Sequence, residues 1–227
     1  MSLMSDAVMV LMNDADDPAG HDDWHTHEHM HERLSIPGFL RGTRWVRAEG
    51  SPRYLIVYEI AGLEIAESPA YLERLNHPTA WTAQSMKQIR GMRRGFCNVV
   101  ASAGYGLGNV AQCVRYAGST ASLGGLVTTL AAEPGMAGVN AFEPAVSGAM
   151  TREQSIRGRD DGVTGILLAS AYDDEALRHA CDRHLVGVEA IDRGSYRLGF
   201  TATAAEVART KPNPPFDPLN HPPRGYR

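Results

Sequence analysis

Cysteine is scarce in this chain: Cys97, Cys113 and Cys181 are an odd number, far apart and without a CxxC pair, which argues against a disulfide framework or a cysteine metal site. Long apolar runs are missing too. The one near the start, residues 7–12, is too short for a signal-peptide core or a membrane span and meets acidic residues at once. There is no basic run, and the net charge is -4; phosphate-backbone binding needs clustered Lys and Arg to displace counterions. GxSxG, P-loop and dinucleotide fingerprints are absent, and Gly104-Tyr105-Gly106-Leu107-Gly108 lacks the strand-to-helix setting of a phosphate loop. The expectation is a soluble, cytoplasmic protein with no nucleic-acid partner, no membrane and no cofactor.

What is present is ordinary globular material: 227 residues, 43% hydrophobic and 21% charged, enough for one or two cored domains. Residues 7–12 read as a buried strand, bounded by the turn-rich residues 13–18. A helix over residues 24–34 follows, with Asp22 or Asp23 as its cap and Pro37-Gly38 as its stop. Residues 39–46 and 54–60 read as a hairpin around Gly50 and Pro52. Ser68-Pro69 and His77-Pro78 start a broken helix that runs to Gly91, which suits a left-handed position after the last turn. Residues 96–101 are the fourth strand.

The order β, α, β, β, α, β then repeats. Strands are expected over residues 109–116, 138–146, 163–170 and 196–203, and helices over 120–132 and 173–184. Two internal matches carry the repeat: Pro37-Gly38-Phe39 against Pro134-Gly135-Met136, and Gly95-Phe96 against Gly199-Phe200. The hairpin loop of the second half, residues 147–161, is long and charged, suited to a flap or a subunit contact. Residues 211–227 carry six prolines and read as an extended tail. Met1-Ser2-Leu3 reads as a cloning remnant outside the fold.

An antiparallel four-stranded sheet with both helices on one face leaves its other face bare, and Leu55-Ile56-Val57 points apolar groups both ways. Two such units bury those faces against each other, at roughly 25 cal/mol per Å² of apolar surface. The expected fold is α+β: two tandem ferredoxin-like βαββαβ units forming an intrachain dimeric α/β barrel with a central cleft. The units are residues 4–105 and 106–208, with 209–227 as the tail.

The run from Asp23 to Arg44, with Trp24, Glu28-His29, Glu32-Arg33-Leu34, Pro37-Gly38-Phe39 and Arg44, resembles the EthD-like family of the dimeric α/β barrel superfamily. Residues 54–59, 68–71 and 78–82 continue the likeness over about the first hundred residues. The resemblance implies a small-molecule cavity in a barrel usually built by two subunits, with members that include oxygenases, dehydratases and degradation accessories. The second half lacks the Glu-His element, reading Ser122-Leu123-Gly124-Gly125 there, so polar site groups are expected from the first half alone.

The candidate catalytic residues are His29 as acid/base with Glu28 beside it, and Arg44 and Tyr58 as orienting groups; Trp24, His25, Tyr54 and Trp81 are candidate substrate contacts. Strand alternation puts Arg41 and Arg44 on opposite faces, which favours Arg44. The ligand expected is a small, partly apolar organic molecule, handled by a cofactor-independent oxygenase-, isomerase- or lyase-like activity. The rival is a non-catalytic ligand-binding or assembly protein, including a homodimer. Residues 27–31 also match the letters of HExxH and residues 25–29 those of HxxEH, and His21, His25 and His29 lie at i, i+4, i+8. Both motifs come from one histidine-rich tract and no third ligand stands out elsewhere, so no metal is assigned.

Overall fold

The computed structural model describes residues 2–47, 50–116, 123–146 and 151–210. The first half supplies strands β1 (Ala7–Ala15), β2 (Phe39–Arg47), β3 (Tyr54–Ile60) and β4 (Ile89–Gly104), and the second half β5 (Val110–Tyr116), β6 (Met136–Val146), β7 (Gly165–Ala171) and β8 (Ala190–Thr203). Each half orders its strands alike, β4-β1-β3-β2 and β8-β5-β7-β6, all antiparallel. Antiparallel pairing of β2 with β8 and of β4 with β6 closes the eight into one barrel.

Closure follows from alternation. Val8, Val10 and Met12 of β1 point inward with Trp45, Leu55, Val57, Cys113, Phe142 and Leu168, while Met9, Leu11, Ile56 and Tyr58 point outward to the helices. An eight-stranded barrel is just wide enough for side chains to fill. The inward side chains fill this one, so the expected central cleft gives way to a packed core, and the cavity lies outside the barrel. Cys97 and Cys113 belong to that core, where burial pushes both thiols up to about 12. Leu3 joins it too: Ser2 bonds Asn140 at 2.9 Å, and the Met4 amide donates to Glu59, the buried partner of Arg41. Ser2 and Leu3 are thus part of the fold rather than appendages.

Helices α1 (Pro18–Trp24), α2 (Met30–Leu34), α3 (Pro69–Asn76) and α4 (Ala80–Met86) cover the outer face of the first four strands. The first helix starts earlier than the sequence suggests. Asp17, not Asp22 or Asp23, caps it, accepting from the Gly20 amide at 3.0 Å, and Pro18 takes the first helical position. Turn residues and cap residues are chemically the same set, which is why residues 13–18 read as a turn. Asp17→Ala is expected to lose about 1 kcal/mol of stability and Asp23→Ala much less, a difference to be read from urea midpoints.

Two further boundaries move. The second start is capped by Thr79 rather than His77, and Gly91, with φ +58°, lies inside β4. The first internal match holds in detail. Gly38 and Gly135 have φ of +93° and +86°, and their carbonyls accept from Ala61 at 2.8 Å and Tyr172 at 3.0 Å. The second match is out of register. Ala7 pairs with Asn98 and Val110 with Arg197, so the ladders set Gly95 opposite Val10 and Gly194 opposite Cys113; Gly194, not Gly199, is the counterpart of Gly95.

The second half carries α5 (Leu123–Ala131) and α7 (Asp174–His184) on its own outer face, packed in a second apolar cluster; α8 (Ala204–Arg209) follows β8. Of the long hairpin loop, residues 147–150 lie outside the described residues, as does the expected tail, 211–227. The rest forms α6 (Arg152–Arg157), which leaves its own half and packs on α3 and α4 of the first. The Arg94 amide bonds the Asp161 carbonyl at 2.9 Å, and the Asp161 amide bonds that of Met92 at 2.9 Å, tying this loop to β4. No helix among the described residues is long and apolar enough to cross a membrane.

Candidate functional site

Between α1 and α2 the chain makes one π turn, His25–His29, in which the Met30 amide reaches the His25 carbonyl. Such turns are rare, are found mostly as single bulges within α-helices and recur at functional sites. With it, His21, His25 and His29 all lie on the buried face, against the outward side chains of β1 and β3. The Tyr58 hydroxyl stands 3.3 Å from His25 Nε2, His21 stacks on Tyr54 at 4.0 Å, and Trp24 leans on His29 at 4.3 Å between ring centres.

These rings line a cavity between the first sheet and its helices. Its walls are Met9, Leu11 and Asn13 of β1, Ile56 and Tyr58 of β3, Tyr71 and Leu75 of α3, Met86 of α4, and Ile89, Met92 and Arg94 of β4. Arg33 closes one end with Glu153 and Arg157 of α6. The empty space is about 410 Å³ counting the open mouth, but room for the centre of a water molecule is only about 20 Å³, enough for one or two waters.

The electrostatics follow from burial. Loss of hydration holds His25 and His29 well below the usual imidazole range, with Arg44 adding to it for His25 and Arg33 for His29. His21 is lowered by burial, against the pull of Asp22. All three rings are therefore neutral near pH 7, and their Nδ1 atoms are buried without a hydrogen-bond partner. Burial pushes the Tyr58 hydroxyl up, so it keeps its proton. Three neutral bases and a phenol donor in a nearly closed space can move a proton on a bound molecule.

Of the candidate residues, His29, His25, Tyr58 and Trp24 line this cavity. The others stand outside the lining. Glu28 turns away and accepts from Thr79 at 2.5 Å and Thr82 at 3.1 Å, because successive residues on a helix point in different directions. Arg44 reaches α1, its Nε 3.4 Å from Asp22, while Arg41 pairs with Glu59. Tyr54 donates to the Pro18 carbonyl at 3.0 Å, and Trp81 packs on the first apolar cluster. His27 is exposed and His31 half-buried, so the HExxH letters split across the helix surface. Rings of His21, His25 and His29 follow one another at 5.6 and 5.7 Å. Among the described residues no three His, Cys, Asp or Glu side chains are grouped to hold a metal ion.

The sequence reading missed Arg33, Tyr71, Arg94, Glu153 and Arg157. Glu153 had a usable signal, since Thr151 and Gln154 form a capping box that marks a helix start inside the loop. Its destination had none: Arg33 Nη2 donates to both Glu153 oxygens, at 2.7 and 2.6 Å, across 120 positions of sequence.

No family model and no curated protein matches this sequence. Solved structures do match its fold. The chain is similar to an anthrone oxidase-like protein at 16% identity and TM-score 0.58, over 91% of this chain and 97% of the other. It is similar to a proposed monooxygenase from Fusobacterium nucleatum at 9% identity and TM-score 0.50, over 88% and 96%. A proposed monooxygenase from Lactobacillus acidophilus matches at 13% identity and TM-score 0.50, over 87% and 96%. The likeness is one of fold: an α+β barrel of eight antiparallel strands with helices outside it, closed by one polypeptide.

Proposed function

We propose that this chain is an EthD-like protein, two fused ferredoxin-like units over residues 4–105 and 106–208, that binds a small, partly apolar organic molecule in the first-half cavity and transfers a proton on it. His29 and His25 are the bases and Tyr58 the hydroxyl donor; Trp24, Ile56 and the methionines supply the apolar wall. The observation that carries the reading is the run of buried, neutral imidazoles with unpartnered Nδ1 atoms beside a cavity. A neutral imidazole accepts a proton from an acidic C–H or O–H, and that step begins an isomerisation, an elimination or, with dioxygen as oxidant, an oxygenation. The names of the structural neighbours favour the last. Glu28, Arg44, Tyr54 and Trp81 act from behind, holding the helix and the rings. Entry of a ligand displaces side chains, for which flexible Met86 and Met92 are suited.

The test is a screen of phenols and aromatic ketones, followed through the histidine ring signals in nuclear magnetic resonance. His29→Ala is expected to weaken binding about tenfold and to lower any turnover about a hundredfold. If binding and turnover of every hit survive that substitution, the cavity is wrongly assigned. The alternative is a protein that binds without turnover. Self-association as a dimer belongs to that alternative.

A further inference from the structure

Charge is not balanced over this cavity. Arg33, Arg94 and Arg157 line it with Glu153, and Asp160 stands 3.3 Å from Arg94 and 2.7 Å from Arg157. Three guanidinium groups thus face two carboxylates, all with nearly buried side chains. Of the neighbouring carboxylates, Glu32 stands 4.0 Å from His29 but brings its own cation, Arg74 at 3.1 Å, so that pair leaves the surplus unchanged; Asp22 is paired with Arg44, and Glu28 with the threonine hydroxyls outside the lining. The neutral histidines neither add to the excess nor remove it. A surplus charge in a place nearly closed to water is costly unless something pairs with it.

The surplus has a specific handle. Glu153 takes Nη2 of Arg33 with both oxygens, which leaves Nη1 buried and without a partner on a side chain only 2% exposed. We infer that the ligand is a monoanionic organic acid, whose carboxylate accepts from Nη1 of Arg33 while its apolar body lies among Met9, Leu11, Ile56, Met86 and Met92. This rests on the cavity being a ligand site and adds the chemical class. A carboxylate suits a guanidinium N–H, and Glu153, which takes Nη2 alone, leaves the Nη1 side of the group for a second one. One negative charge neutralises the cluster, whereas a phosphate dianion overshoots it.

The experiment compares 2-naphthoate with the uncharged 2-naphthamide by isothermal titration calorimetry on the full chain. The acid is expected to bind about ten- to a hundredfold more tightly than the amide, the range of one charge-assisted hydrogen bond. Glu153→Gln, which removes a competing anion and keeps the shape, is expected to raise the preference for the acid over the amide further. In the double variant Arg33→Met/Glu153→Met, the buried pair is replaced by apolar groups of similar size, a change that buried pairs tolerate. There the preference is expected to fall below about threefold, with the amide unaffected. Equal binding of acid and amide to the parent chain overturns the organic-acid inference and leaves the cavity standing. A preference that persists in the double variant overturns the role of Arg33. Binding of neither probe, with no change in the histidine ring signals, overturns the cavity reading itself.

Discussion

Arg33→Met is expected to destabilise the protein by about 3–5 kcal/mol, read by calorimetry as a fall in Tm on the order of 6–20 °C. The cause is what the substitution leaves behind. Glu153 has a side chain only 2% exposed, and both its oxygens lie on one nitrogen of Arg33. Without that nitrogen a carboxylate is stranded under α6, on the wall that joins the two halves. The double variant Arg33→Met/Glu153→Met is expected to return to within about 1 kcal/mol of the parent, because removing both charges also removes their desolvation. A single variant that melts with the parent would mean that α6 does not seal this end.

Acid is the second large lever. Burial depresses His25 and His29, so the folded state stays unprotonated where the unfolded chain, with ordinary histidines near 6.5, takes up protons. A state that binds more protons gains as pH falls, and here that state is the unfolded one. The stabilising contribution is therefore complete above about pH 6.5 and is lost progressively below it, until the folded rings themselves protonate. From pH 7 to pH 5 the loss is at most about 2 kcal/mol for each of the two rings, the limit for a folded ring that stays unprotonated throughout. Urea midpoints at pH 7, 6 and 5 measure it. His21, also lowered by burial, adds to the same trend; His29→Gln is expected to flatten the profile by its own share, and an unchanged profile would show that His29 is hydrated.

The fold was largely legible in the chain, and the reasons are local. The nearly unbroken apolar run in residues 54–60 and the Pro-Gly stops at 37–38 and 134–135 have direct physical meanings, and they appear as β3, buried on both faces, and as two left-handed glycines with equivalent carbonyl bonds. Register was not legible from composition. Gly199 resembles Gly95 in its neighbour, but only ladder pairing shows Gly194 in the matching place. The site was half legible. Histidines four apart announce a shared helical face, and three of them occupy it. The π turn within them leaves no trace in side-chain chemistry, since the same residues suit an α-helix. Glu28 misled because adjacency along a helix is not adjacency in space. Glu153 and Arg157 were out of reach because their partnership with the first half is tertiary, made by a loop that crosses from the other half.

That crossing has a practical reach. Because α6 forms a wall of the cavity, the first hundred residues cannot be excised as a miniature with the same chemistry. A truncated piece ending at residue 105 loses Glu153 and Arg157, opens the end of the chamber to bulk solvent and rehydrates the imidazoles. Substitutions near residue 153 then reach the surroundings of the histidines, and variants altered there belong with those of the cavity wall rather than with those of a surface loop.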